Sequence, residues 1–126
     1  IEPGKRPLSS MTPTLVFKDG RPWLATGSPG GSRIITTTLQ ILLNVIDHEM
    51  NIAEATAAPR VHHQWWPDEL RVEPGLSPDT MALLRARGHD VVVKPTMGST
   101  QSIMVTEDGI TGASDPRRPG ALTIGY

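Results

Sequence analysis

Gly27-Ser28-Pro29-Gly30-Gly31-Ser32-Arg33 links a short apolar run, Trp23 to Thr26, to the longest helical pattern in the chain. Adjacent glycines free the backbone to take dihedrals that a Cβ forbids. The helix that follows begins with N–H groups lacking intrahelical partners, at the positive end of its dipole. Such a junction can be a tight strand-to-helix turn and nothing more. A glycine cluster is first of all such a turn signal, and the same geometry can also cradle an anion, or an oxygen that becomes one during a reaction.

Upstream, Thr14 to Lys18 and Trp23 to Thr26 flank Asp19-Gly20, a strong hairpin signal, and Pro22 suits a strand start. Downstream, between Ser32 and His48, Ile34, Ile35, Leu39, Leu42, Val45 and Ile46 recur at helical spacing, and Ile41 and Leu43 widen the stripe. The junction therefore sits where a strand ends and a helix begins. Thr36-Thr37-Thr38 lowers helix propensity without forbidding the helix, with nothing nearby in sequence to activate a threonine. Asn51 and Glu54 form an Asn-x-x-Glu capping box for a thin, alanine-rich second helix that Pro59 ends. Ser77, Pro78 and Asp79 start a third, capped by Ser77 and running to about Arg87 before Gly88. Leu70 to Glu73, Val91 to Lys94, Ser102 to Thr106 and Ile110 to Ala113 read as strands. The last two form a hairpin across Glu107-Asp108-Gly109, and Leu122 to Tyr126 is a final short run.

With 126 residues the chain is one domain or part of one. Apolar residues make up 37%, with one Phe, one Tyr and three Trp, so aliphatic side chains and Met must fill the core. A net charge of −1 gives no electrostatic reason to expect nucleic acid or an anionic membrane as partner. The absence of cysteine excludes disulfides and thiolate metal sites. No apolar run approaches the roughly 20 residues of a spanning helix. No signal-peptide pattern is present, and Ile1 in place of Met is what a processed or trimmed polypeptide would show.

Four features invite chemistry. Ser9-Ser10, with Lys5 and Arg6 close by, is either a loop bonding its own backbone or a pair of hydroxyl donors for a ligand carboxylate. Arg60, directly after Pro59, is a surface charge or the buried partner of a distant carboxylate. His62-His63 with Asp68 and Glu69 suggests zinc, but neighbouring side chains of an extended segment face opposite ways, and no third ligand at suitable spacing is visible. Trp65-Trp66 covers a core edge or a subunit surface.

Taken together, Lys5 to Met11, the Gly27 to Arg33 junction and Ala113-Ser114-Asp115-Pro116-Arg117 closely resemble the C-terminal part of the small subunit of bacterial γ-glutamyltranspeptidases, also called glutathione hydrolases. Asn51 to Arg60, His62 to Trp65, Pro67 to Glu73 and Gly98 to Met104 extend the resemblance over nearly the whole chain. It implies an α+β fold, the four-layer αββα sandwich of N-terminal-nucleophile hydrolases, to which residues 1–126 contribute one partial domain of antiparallel strands and about three helices. It implies that Ser9 and Ser10 hold the α-carboxylate of a γ-glutamyl group and that Gly30 and Gly31 form the oxyanion hole. Arg60 and Arg117 match arginines that organise charge around the site and its maturation.

The implied activity is cleavage of the γ-glutamyl amide of glutathione and related compounds. A threonine hydroxyl, helped by its own α-amino group, forms a γ-glutamyl ester that passes to water or to an amino acid or peptide amine. No metal or organic cofactor is implied. The family's nucleophile opens its small subunit, before the point matching Ile1, so this segment is expected to be inactive alone. Its expected partners are the large subunit and the N-terminal part of the small subunit of the same precursor, in the periplasm or outside the cell. Two alternatives stay open: a related acylase or poly-γ-glutamate processing enzyme, and a non-catalytic fragment.

Overall fold

A computed structural model describes residues 1–125 of the chain. After an irregular N-terminal segment, the predicted hairpin forms β1 (Thr14–Lys18) and β2 (Arg21–Gly27). Asp19 (φ 51°) and Gly20 (φ 75°) both take the left-handed conformation that turns the chain between them. Helices α1 (Arg33–Ile46) and α2 (Ile52–Ala57) follow, then β3 (Val61–His62), β4 (Leu70–Val72), α3 (Pro78–Ala86) and β5 (Val91–Val93). A second hairpin, β6 (Gln101–Thr106) and β7 (Gly109–Ser114), closes the fold.

The strands build two sheets, a four-stranded one in the order β1-β2-β6-β7 and a three-stranded one in the order β3-β4-β5. The larger sheet is antiparallel throughout, with Leu24 opposite both Val16 and Met104. Its inner face meets α1 and α2 around a core of Leu24, Ile41, Val45, Ile52, Ala55 and Ala113. Within that face Thr26 and Ser102, directly opposite each other, join their buried hydroxyls at 2.8 Å. The outer face carries Leu15, Ala25 and Ile103 in one row, and Leu15 (66%) and Ile103 (56%) remain exposed.

The structure corrects three local expectations. The strands are not all antiparallel: β4 and β5 pair parallel, because α3 carries the chain back across the sheet before β5 begins. Ser77 makes no side-chain cap, and α3 starts instead on Pro78, whose fixed φ suits a first helical residue. Leu122 to Ile124 form no strand; Thr123 lies against β7, its hydroxyl 2.8 Å from that of Ser114. Tyr126, the end of that run, lies outside the described residues. The Asn51 box forms as expected, Asn51 Oδ1 accepting the N–H of Ala53 and Glu54 while the Glu54 carboxylate accepts that of Asn51.

Candidate active site

β2 delivers the chain to the junction, where Gly30 (φ 145°) and Gly31 (φ 59°) take dihedrals that side chains resist. Their carbonyls accept the N–H groups of Arg33 (3.3 Å) and Ile34 (3.1 Å), which winds the chain into α1. Among the described residues, the N–H groups of Gly30 and Gly31 themselves donate to no acceptor. Two free donors thus lie beside the N-terminal end of a 14-residue helix, where its dipole also favours negative charge.

A second loop, Met97 to Thr100, packs against the junction. The Ser99 N–H donates to Ser28 Oγ (2.9 Å), and the Ser28 hydroxyl donates to the carbonyl of Pro29 (2.8 Å). Gly98 (φ 74°) fits only because it lacks a side chain: a Cβ there would lie 2.8 Å from Ser28 Oγ and 3.0 Å from Thr37 Cγ2.

Behind this loop two arginines and two carboxylates are buried together. Arg60 donates to Asp115 Oδ2 (2.7 Å), and Arg117 donates to both Glu73 oxygens and to Asp115 Oδ1 (3.1 Å). Arg60, Asp115 and Glu73 are each no more than 1% exposed. Burial is tolerated because almost every polar atom finds a partner. The two carboxylates also accept the N–H groups of Met97 (2.6 Å) and Thr100 (2.8 Å), while Arg60 donates to the Met97 carbonyl (2.8 Å). Arg60 and Arg117 further donate to the carbonyls of Thr56 and Ala58, closing the C-terminal end of α2. Burial pushes the Arg60 guanidinium below its ordinary value. For Asp115, burial acts upward, but the N–H groups of Arg117 and Thr100 and the Arg60 guanidinium reverse it and hold the carboxyl below its ordinary value. Burial would also lower Arg117, but the Glu73 and Asp115 carboxylates together outweigh it, so Arg117 is raised.

Ser9 and Ser10 lie on the irregular N-terminal segment, Ser9 exposed and its Oγ accepting the Met11 N–H (3.2 Å). Antiparallel pairing of Thr14 with Thr26 brings this segment to the sheet end where the glycine junction starts. No hydrogen bond joins the serines to Gly30 or Gly31 among the described residues. His62 and His63 take separate partners, Thr36 and Gln64 for the first and Asp68 for the second. Thr36, which no sequence neighbour could activate, therefore does meet an imidazole, 2.7 Å away from a distant strand. Trp65 and Trp66 are exposed, at 84% and 75%. The sequence leaves Met97 to Gln101, with Ser99 and Thr100, as a loop that is either structural or the border of a site, and it offers no role for Glu73. Glu73 was visible only as the end of an alternating strand, and nothing local marks its pairing with Arg117.

An antiparallel sheet packed on helices, with a second small sheet beside it, is the α+β architecture of the N-terminal-nucleophile hydrolases. Residues 1–125 match the family model described as gamma-glutamyltranspeptidase. The chain is 66% identical over its whole length to the glutathione hydrolase proenzyme of Escherichia coli (strain K12), covering 22% of that protein. It is 40% identical, over 95% of its length, to the acylase ACY 1 proenzyme of Pseudomonas sp. (strain V22), again 22% of the relative. A crystal structure of the T380A mutant of Helicobacter pylori gamma-glutamyltranspeptidase superposes with a TM-score of 0.88 at 51% identity, covering 94% of this chain and 66% of that one. The chain thus spans about a fifth of the length of these proenzymes, and it belongs to the γ-glutamyltranspeptidase family.

Proposed function

We propose that this chain is the C-terminal portion of the small subunit of a γ-glutamyl transferase/hydrolase acting on glutathione and related γ-glutamyl compounds. The observation that carries this reading is the pair of N–H groups on Gly30 and Gly31 that have no partner among the described residues, at the sheet end where the segment bearing Ser9 and Ser10 leads into β1. A threonine supplied from another part of the same precursor attacks the γ-carbonyl. Its oxygen gains negative charge as the tetrahedral adduct forms, and the two glycine N–H groups accept that charge with no reorganisation. Each such donor is worth about 3 kcal/mol where one has been removed. The Ser9 and Ser10 hydroxyls hold the α-carboxylate and so place the γ-carbonyl. Collapse of the adduct expels the amine and leaves a γ-glutamyl ester, which water or an incoming amine then takes up.

Two further observations support a larger assembly. The relatives are named proenzymes, in keeping with a precursor that processes itself into a heterodimer. The exposed row of Leu15 and Ile103 offers an apolar face that a second sheet can cover, as an αββα sandwich requires. A periplasmic or secreted location rests on the family resemblance, and cell fractionation checks it.

The decisive experiment is turnover of a γ-glutamyl anilide by the full-length protein and by its Ser9→Ala plus Ser10→Ala variant. The variant is expected to show KM raised at least tenfold, the size of one lost charge-assisted hydrogen bond. An unchanged KM would remove the serines from the carboxylate site. The 40% identical acylase favours one second reading, action on amides lacking an α-carboxylate. Faster turnover of such substrates in a panel would select it.

A further inference from the structure

The reaction above uses the N–H of Gly30 but leaves open what aims it. A peptide unit is planar and trans, so the direction of an N–H is set by the carbonyl of the residue before it. For Gly30 that carbonyl belongs to Pro29, and it accepts the Ser28 hydroxyl at 2.8 Å. Ser28 Oγ is in turn held by the N–H of Ser99 at 2.9 Å. On this function, we infer that Ser28 is a positioning residue for the oxyanion hole, aiming the Gly30 N–H through the Pro29 carbonyl and braced by the Met97–Thr100 loop.

Three features make the brace stiff. The loop is tied at both ends, Met97 N–H to Glu73 and Thr100 N–H to Asp115, with the Met97 carbonyl on Arg60. Met97, Ser99 and Thr100 are buried, so water does not compete for these bonds. Gly98 leaves no slack, since a Cβ would stand 2.8 Å from Ser28 Oγ. The bonds also run head to tail, from Ser99 N–H to the Ser28 hydroxyl to the Pro29–Gly30 peptide. Each bond polarises the next, so the chain strengthens the final N–H as a donor when the oxyanion forms. Neither Ser28 nor Gly98 touches the substrate in this scheme. Both act through the direction of one backbone donor.

The test uses the full-length, matured enzyme, with rates expressed per mature small subunit so that poor maturation does not mimic poor catalysis. Ser28→Ala is expected to lower kcat for a γ-glutamyl anilide by about 10- to 100-fold, the range for a misaimed group, with KM within about twofold. A boronate analogue of the γ-glutamyl group, which mimics the tetrahedral adduct, should lose affinity by the same factor as kcat/KM, while a ground-state amide analogue binds as before. Ser28→Thr, which keeps the hydroxyl, should restore most of kcat. Gly98→Ala supplies an independent variant: alone it should lower kcat, and combined with Ser28→Ala it should cost less than the product of the two effects, because the clashing oxygen is gone. Wild-type turnover with kcat and boronate affinity unchanged in Ser28→Ala and Gly98→Ala would overturn the positioning role alone. A wild-type enzyme inert toward γ-glutamyl anilides would overturn the proposed function and this inference with it.

Discussion

Arg60 buries its side chain because four acceptors meet it: the Met97 and Thr56 carbonyls, the Thr100 hydroxyl and Asp115 Oδ2. Among the described residues its Nε has no partner. Removing one member of such a pair strands the other charge, which typically costs about 3–5 kcal/mol. Asp115→Asn is therefore expected to destabilise the full-length protein by that order, measured by urea unfolding at neutral pH. The pH dependence has a definite sign. The folded carboxyl of Asp115 lies below its unfolded value, so the stability it contributes is present above the ordinary carboxylate value and is lost as pH falls through the folded one. Unfolding curves taken downward from pH ~5 should show a steeper loss in the wild type than in Asp115→Asn. Equal slopes would mean that the ionised Asp115 contributes nothing to the cluster.

At the scale of elements, α2 is six residues long and could not persist alone. Both of its ends are held, but by different kinds of information. Its N-terminal end is closed by the Asn51–Glu54 box, a local device legible in the sequence. Its C-terminal carbonyls are closed by Arg60 and Arg117, the latter from about 60 residues away. Asn51→Ala should cost about 1 kcal/mol, with Asn51→Asp near neutral, read as shifts in the denaturant midpoint at constant slope. If Asn51→Ala left the midpoint in place, tertiary contacts alone would be holding the helix. The β4–α3–β5 unit shows the converse limit. Its three elements were visible, yet the parallel pairing of β4 with β5 was not, since alternation along a strand specifies which face is apolar and not which neighbour it pairs with.

For the molecule as a whole, the larger sheet is covered by α1 and α2 on one face, while on the other Thr123 packs against β7 and Leu15 and Ile103 stay exposed. In the proposed assembly a second sheet from the same precursor lies there. The chain contains no cysteine, so a single introduced thiol reports on this face. Ile103→Cys in the full-length protein should react with a maleimide at least tenfold more slowly when folded than when denatured, with the label located by peptide mass. Equal rates would show that the outer face stays open and would remove the sandwich from the proposal.

The strand–junction–helix order, both hairpins, the Asn51 cap and the motif set that assigns the family were all written locally, in turn residues, periodicity and glycines whose backbone needs act over a few positions. The sequence by itself therefore determined that Gly30 and Gly31 stand between a strand and a helix. Tertiary structure alone decided what surrounds them: that Arg60 meets Asp115 and Arg117 meets Glu73, that Ser99 reaches Ser28, and that Gly98 packs on Thr37. These contacts join residues dozens of positions apart, and a side chain's choice of distant partner depends on which buried groups the folded chain leaves unsatisfied.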